Sequence, residues 1–368
     1  MNILHLINDL RVGGTEKSLV NYCINDKKNK NIILSFGPSD NFKNLLESNN
    51  IKIIKLNILS NPIKTIFQFK KIAKENNIKI VHSWMYHSHL ISILFYFLRY
   101  KIFWSIRNQD ITKNNLGFKT FLLVKLLSIF SKIFVQKIFY NSVFARTSHT
   151  NMGFSEKKSD VVFNGYLIDE QEINKSDEVV KLLNTYKQNN FFILGSIGRY
   201  HRVKNQLMLL DSLKFLKENN ENKFLTVFVG KGFNESSEFL KKIKDYNLKE
   251  NVILIDFCED IKKIYQSIDV NILTSLNESF PNVIAESMMY GSPCISTDVG
   301  EVRKIINNYG WVITNNINEL IKTIAETQAI KLKYNKEWNL LKDNCKRHIK
   351  INFSMDKMFD NYEKGYNS

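Results

Sequence analysis

Glu278 and Glu286 stand eight positions apart in the stretch SLNESFPNVIAESMMYGSPCISTDVG, residues 275–300. Ahead of them VNILTS reads as a buried strand ending at Ser275. Pro281 suits the first turn of a helix, and Gly291 is a natural stop just past its end. Glu278 is therefore predicted in the loop at the carboxyl end of a strand, beside free amides of Asn282, Val283 and Ile284. Those N–H groups and the positive end of the helix form an anion site. Glu286 falls inside the helix, roughly one and a half turns further along. A diphosphate held on the amides, with a carboxylate for the hydroxyls on either side, has the layout of a sugar nucleotide.

The segment resembles the E-x7-E signature of the large retaining glycosyltransferase family that includes bacterial capsule, O-antigen and lipid-linked-oligosaccharide transferases. Here it is embedded in S-x-x-E-S-F-P-N-x-x-x-E-x-M-x-x-G-x-P. The resemblance implies that Glu278 contacts the donor sugar and Glu286 the nucleotide ribose, with Ser279, Phe280, Asn282 and Val283 in the same donor site. Gly198-Arg199 with Lys204-Asn205 resembles the family's G-R-x4-K element, in which Arg and Lys clamp the diphosphate. Charge on the leaving nucleotide grows in the transition state, so cations fixed there lower the barrier.

Gly13-Gly14 follows the first strand and precedes a helix for which Thr15 is the predicted N-cap. It is either a plain tight turn or, as in the family, a glycine-rich loop under the donor diphosphate; Glu16 beside it reads as solvated. Val229-Gly230-Lys231-Gly232 resembles a further family turn near the nucleotide. His82-Ser83-Trp84-Met85-Tyr86-His87 resembles a W-M-Y-H element whose polar aromatics suit a sugar or acceptor platform. His87 is assigned to the cleft, and His82 either to the cleft or to the core. After the strand ending at Ile106, Arg107 and Asn108 stand where many relatives carry a His against the donor sugar. That departure puts a His-centred mechanism in doubt and leaves Arg107 to face an acidic acceptor such as a lipid diphosphate.

The elements that must position these groups alternate along the chain. Strands are predicted at 2–7, 31–36, 51–56, 78–82, 101–106, 137–141 and 160–163, then at 191–197, 223–229, 252–256, 270–274, 294–296 and 311–313. Helical patterns fill most of the gaps, which means α/β architecture with parallel sheets. Asn164-Gly165 is a turn signal, and the polar, acidic run 166–190 (Asp169, Glu170, Glu172, Asp177, Glu178) reads as a linker. The division is an amino-terminal Rossmann-like domain, 1–165, and a nucleotide-sugar domain, 166–349, with a final helix at about 350–368 folding back on the first. The resemblance makes this the GT-B fold, two doubly wound domains facing across a cleft. Ligands of such sheets bind beyond the carboxyl ends of the strands, where each motif lies.

Composition bounds the rest. The chain has 368 residues, 44% of them hydrophobic, enough for two domains. Four widely spaced cysteines without a C-x-x-C pair fit reduced thiols in a cytosolic protein. Neither a zinc-ligand pattern nor a D-x-D motif is present, so no metal and no cofactor beyond the co-substrate is expected. MNILHLINDL is a strand pattern without the features of a signal peptide, and no uncharged apolar run reaches the ~18 residues of a membrane span.

The net charge of +16 is unevenly spread: residues 90–140 carry eight Lys or Arg against Asp110 alone, interleaved with aromatics. From Phe118 onward Lys125, Ser128, Lys132 and Gln136 form a polar stripe at helical spacing on a mostly apolar helix. Such a helix either packs into a core, dips into a membrane interface, or contacts a protein. Lys119, Lys125, Lys132 and Lys137, with Phe118, Phe121 and Phe130, would face an anionic leaflet.

The expectation is a cytoplasmic retaining glycosyltransferase, peripheral on the inner face of the membrane. It would take a nucleotide-sugar donor, UDP-linked, and a glycan or polyprenyl-diphosphate acceptor. The rivals are a sugar-nucleotide epimerase or hydrolase on the same fold and a basic nucleic-acid binder, the latter at odds with the ordered donor motifs.

Overall fold

The computed structural model describes residues 1–56, 62–167, 178–219, 223–258 and 260–368, with only the backbone of 62–66. The chain divides into two compact units, Met1–Gly165 with Met355–Ser368, and Tyr166–Ser354.

The first unit is built on strands β1 (Asn2–Ile7), β2 (Lys30–Ser35), β3 (Lys52–Lys55), β4 (Ile80–Trp84), β5 (Lys101–Ile106), β6 (Lys137–Tyr140) and β7 (Ser159–Val161). Their order is β3-β2-β1-β4-β5-β6-β7, every pairing parallel. The second unit holds β8 (Phe192–Ile197), β9 (Phe224–Val229), β10 (Val252–Ile255), β11 (Val270–Leu273), β12 (Cys294–Thr297) and β13 (Trp311–Ile313). These run parallel in the order β10-β9-β8-β11-β12-β13. Strands such as FLTVFV are buried along their whole length because helices cover both faces of a parallel sheet. Each sheet is wound in two directions from its first strand. The loops after β1 and β4, and after β8 and β11, therefore flank the two points where the winding reverses, the places at which such sheets open a crevice.

Several details differ from the expected pattern. β4 lies two residues later than predicted, because Trp84 completes it: the indole N–H donates to His5 Nδ1 at 3.1 Å, inside the sheet's helical cover. Asp169, Glu170, Glu172 and Asp177 of the acidic run lie outside the described residues. The run nevertheless ends in a helix, Glu178–Gln188, whose Val180 and Leu183 are buried in the second unit, so that part is not linker. The last helix, Met355–Asn367, lays Met355, Met358, Tyr362 and Tyr366 in the core of the first unit.

Helix Phe118–Ile133 turns a different face inward than its polar pattern suggested. Ser128 and Ser131 are buried, because each hydroxyl donates to a carbonyl of its own helix, Lys125 at 2.7 Å and Ser128 at 2.6 Å. A serine satisfied in this way enters a core at little cost. Gln136 is likewise absorbed, accepting from the Ile102 amide at 2.6 Å, and Lys137 pairs with Asp160 at 3.0 Å. Phe121 and Phe130 are half-buried.

Candidate functional site

In the second unit the chain after β8 makes a short 3-10 turn, Arg202–Lys204, capped by His201, whose Nδ1 accepts from the Val203 amide at 3.2 Å. Asn205 then adopts a left-handed conformation, φ 52°, which asparagine tolerates well. The neighbouring loop, after β11, grips this turn. Thr274 Oγ1 lies 3.0 Å from the Lys204 carbonyl oxygen and 2.9 Å from that of Asn205, and the Leu276 amide donates to Val203 at 2.8 Å.

This stitching brings Lys204 to Glu278, Nζ to Oε1 at 2.5 Å, and the Ser275 hydroxyl donates to the same oxygen at 2.8 Å. The carboxylate is only 14% exposed, so it is held by a cation and a hydroxyl in a partly desolvated place. Two residues predicted to serve a ligand thus already serve each other. Arg199 is exposed at the same loop, and its carbonyl accepts from Gln206 at 3.0 Å.

Two glycines hold these loops in place. Gly230 has φ 143°, and a Cβ there would stand 2.4 Å from the Gly198 carbonyl oxygen and 2.9 Å from the Arg199 nitrogen. Gly300, φ 52°, lies equally close under the Glu278 loop: a Cβ would meet the Glu278 carbonyl oxygen at 2.2 Å and that of Ser279 at 2.5 Å. Gly198 itself has φ 143°. Gly300 and Ser275 were absent from the expected site. Ser275 stands within the signature, and Gly300 announces itself only as a glycine just after β12.

Helix Asn282–Met289 begins one residue later than expected, with Pro281 in the capping position, and Gly291 at φ 82° follows its end. Of the three amides expected to be free, that of Ile284 donates to Pro281 at 3.1 Å. The side chain of Asn282 accepts from the Tyr166 hydroxyl at 2.6 Å, and the Val283 carbonyl accepts from Asn271 at 3.2 Å. Glu286 accepts from the buried Tyr265 hydroxyl at 3.1 Å. Burial first, then the adjacent carboxylate, pushes that phenol's pKa well above its usual range, so it stays a donor and orients Glu286. The Phe280 ring is buried, 5.8 Å from that of Phe353, and anchors the loop between the carboxylates.

In the first unit, Gly13 in extended backbone caps helix Gly14–Asn25, so the cap is not Thr15. Glu16 is not solvated: its carboxylate folds over Gly13, where a Cβ would stand 2.3 Å from Oε2, and burial raises its pKa. The paired-glycine loop thus already neighbours an anion of its own chain.

Around β4, His87 is exposed, whereas His82 is a core residue bonded to the Tyr366 hydroxyl at 2.7 Å and Ser105 at 2.8 Å. Trp84 and Tyr86 are buried, so His87 is the only one of the three left to the surface. Arg107 lies 4.7 Å above the Trp84 ring, donating to the Asn164 side chain and, at 3.2 Å, to the Tyr362 hydroxyl. Asn108 donates to the Asp110 carbonyl at 3.1 Å. Tyr362 had no signal in the sequence, being 255 residues from its partner. Among the described residues, no group of three or more His, Cys, Asp or Glu is placed to hold a metal ion.

Residues 182–339 match the family described as glycosyl transferases group 1. The chain is 26% identical to the capsular polysaccharide biosynthesis glycosyltransferase CapH of Staphylococcus aureus, over 89% of each chain. It is 28% identical to the UDP-Gal:alpha-D-GlcNAc-diphosphoundecaprenol alpha-1,3-galactosyltransferase of Escherichia coli, over 53% of this chain and 49% of that one. The solved structure of Anabaena Alr3699/HepE in complex with UDP and glucose aligns with a TM-score of 0.82 at 19% identity, covering 100% of this chain and 99% of that one. A glycosyltransferase from Rickettsia africae gives 0.84 at 21% identity, covering 100% and 98%. The fold is GT-B, the class read from the sequence, and the stretch that matches the group 1 family lies within the second unit.

Proposed function

We propose that this chain is a retaining glycosyltransferase that moves a sugar from a UDP-linked donor to a cell-surface glycan precursor on a lipid diphosphate. The observation that carries the reading is the Lys204–Glu278–Ser275 cluster at the reversal point of the second sheet, bound to the β8 loop by Thr274 and Leu276. The names of the relatives support it: one is a capsular polysaccharide glycosyltransferase, another takes UDP-Gal to a diphosphoundecaprenol acceptor.

In this reading a donor diphosphate draws Lys204 toward itself and, with Arg199, is neutralised there. Glu278, released from its cation, then accepts from donor-sugar hydroxyls, and Glu286, oriented by Tyr265, accepts from the ribose. Arg199 and Lys204 stabilise the charge that grows as the C1–O bond to phosphate breaks. The acceptor hydroxyl attacks C1 from the same face, and its proton passes to the departing phosphate oxygen, so no protein nucleophile and no metal is required. Arg107, Asn108 and His87 belong to the acceptor side, where the enzyme works at the inner face of the membrane.

The test is a panel of nucleotide sugars screened by thermal shift, followed by transfer assays with and without a lipid-linked acceptor. A UDP-sugar that raises the unfolding temperature, with UDP release that needs acceptor and survives a chelator, is the expected result. Release without acceptor would make the chain a hydrolase, interconversion of the donor an epimerase, and loss of activity in chelator would overturn the metal-free step.

A further inference from the structure

We propose that helix Phe118–Ile133 of the first unit is an interfacial helix that seats this protein on an anionic lipid surface. Its outward face is apolar: Phe118, Leu122, Leu126, Ile129 and Ile133 are 41–57% exposed. At about 100° per residue these five fall within an arc of about 80°. Lys125 and Lys132 line one border of that arc and Lys119 the other, all three exposed, and the helix contains no acidic residue.

The apolar surface continues past the helix end. Phe134 lies 5.8 Å from Phe97, which is 69% exposed, and 5.1 Å from Tyr96. Two helix ends thus present one aromatic and aliphatic patch.

An apolar stripe edged by lysines on both sides selects its occupant. The lysine stems lie along apolar surface while their ammonium groups reach outward, as Lys113 and Lys125 already do over the Phe118 and Phe121 rings at 5.0 and 5.2 Å. Anionic headgroups meet that double row of cations, and the stripe between enters the acyl boundary. Among the described residues no helix is long and apolar enough to cross a membrane, so this one lies in the interface plane. The buried face, Val124 and Leu127 with the two self-satisfied serines, fixes the helix to the unit, and the opposite face is what the membrane sees. This surface deepens the proposed function: its purpose, bringing the acceptor side to a lipid-borne substrate, rests on that reading, whereas its lipid binding does not.

The experiment is flotation of the full chain with phosphatidylcholine vesicles and with vesicles containing phosphatidylglycerol, at low and high salt. The wild type is expected to float with the anionic vesicles at low salt only. Lys119→Gln/Lys125→Gln/Lys132→Gln and Leu122→Ser/Ile129→Ser should each lower the bound fraction at least tenfold, with the thermal shift given by UDP unchanged. Ile129→Trp should show a blue-shifted emission on binding. Failure of the wild type to float, or undiminished binding by both multiple variants, overturns the proposal. So does a wild-type dimer that Leu122→Ser/Ile129→Ser dissociates, since the face would then join two copies of the chain. If UDP gives no shift while flotation holds, the glycosyltransferase reading falls and the lipid surface stands.

Discussion

Lys204 and Glu278 illustrate how stability and function separate at the scale of single residues. Lys204→Met leaves a carboxylate of 14% exposure without its cation, which should cost about 1–3 kcal/mol, eased by the remaining Ser275 donor. Adding Glu278→Gln should restore most of that loss. Turnover, by contrast, should drop in both single variants, by about 100-fold or more in each, and stay low in the double. Urea unfolding beside a transfer assay checks this, and a double variant that regained activity would remove both residues from the chemistry. Gly300→Ala should weaken binding of the intact UDP-sugar, because its Cβ collides with the backbone that aims Glu278 and its φ of 52° is strained for alanine, at about 1–3 kcal/mol. Gly117→Ala is the control: φ is 74°, but nothing lies within 4 Å, so stability falls while UDP-sugar titrations stay unchanged.

The strands and helices of the first unit enclose histidines that must be neutral to be buried, and this sets its response to acid. His5 in β1 has its pKa lowered to about 4 by burial, against the opposing pull of Asn31 and Asp26. His149 is also lowered to about 4 by burial, opposed by its bond to the Ala145 carbonyl. Its Nδ1–H donates there at 2.7 Å and its Nε2 accepts from Tyr86 at 3.0 Å. His82 and His89 are displaced downward for the same first cause. An unfolded histidine takes up its proton near pH 6.5, so below that value the unfolded chain binds more protons than the folded one. The stability these groups confer is complete above pH 6.5 and is lost as pH falls toward 4, on the order of 3 kcal/mol for each of His5 and His149. Denaturant midpoints measured between pH 7.5 and 4.5, read by near-ultraviolet circular dichroism, should fall steeply below 6.5. A flat profile would mean that these imidazoles are not held neutral.

At the scale of the molecule, the first unit is completed only when the chain returns to it at Met355. Helix Met355–Asn367 approaches β6 so closely that a Cβ at Gly365 would stand 2.4 Å from the Phe139 ring. Gly365→Ala should therefore destabilise the first unit by about 1–3 kcal/mol through overpacking, while the second unit keeps its own stability. Hydrogen exchange resolves the two: faster exchange in β4, β5 and β6 with β8–β12 unchanged is the expected pattern, and uniform acceleration would show that the units unfold as one. The same helix supplies Tyr362 to Arg107, so Tyr362→Phe should change acceptor-dependent turnover more than UDP binding.

The sequence by itself determined what is local. Most of the described strands are apolar runs between turn signals, so the strands of both sheets were legible, with β4 misplaced by two residues because Trp84 is stabilised by a partner 79 residues away. The loop from Glu278 to Gly291 was legible because a proline and a glycine mark a helix's two ends within a dozen residues. Which polar side chain faces inward was not, since Ser128 satisfies itself on its own helix and sinks, while Lys125 three residues earlier stays out. Only the tertiary structure decided that Lys204 meets Glu278 across 74 residues, because the two come together only when β8 and β11 lie side by side. It alone decided that Arg107 meets Tyr362 across 255 residues, because nothing in either segment encodes where a chain that has built a second unit will return.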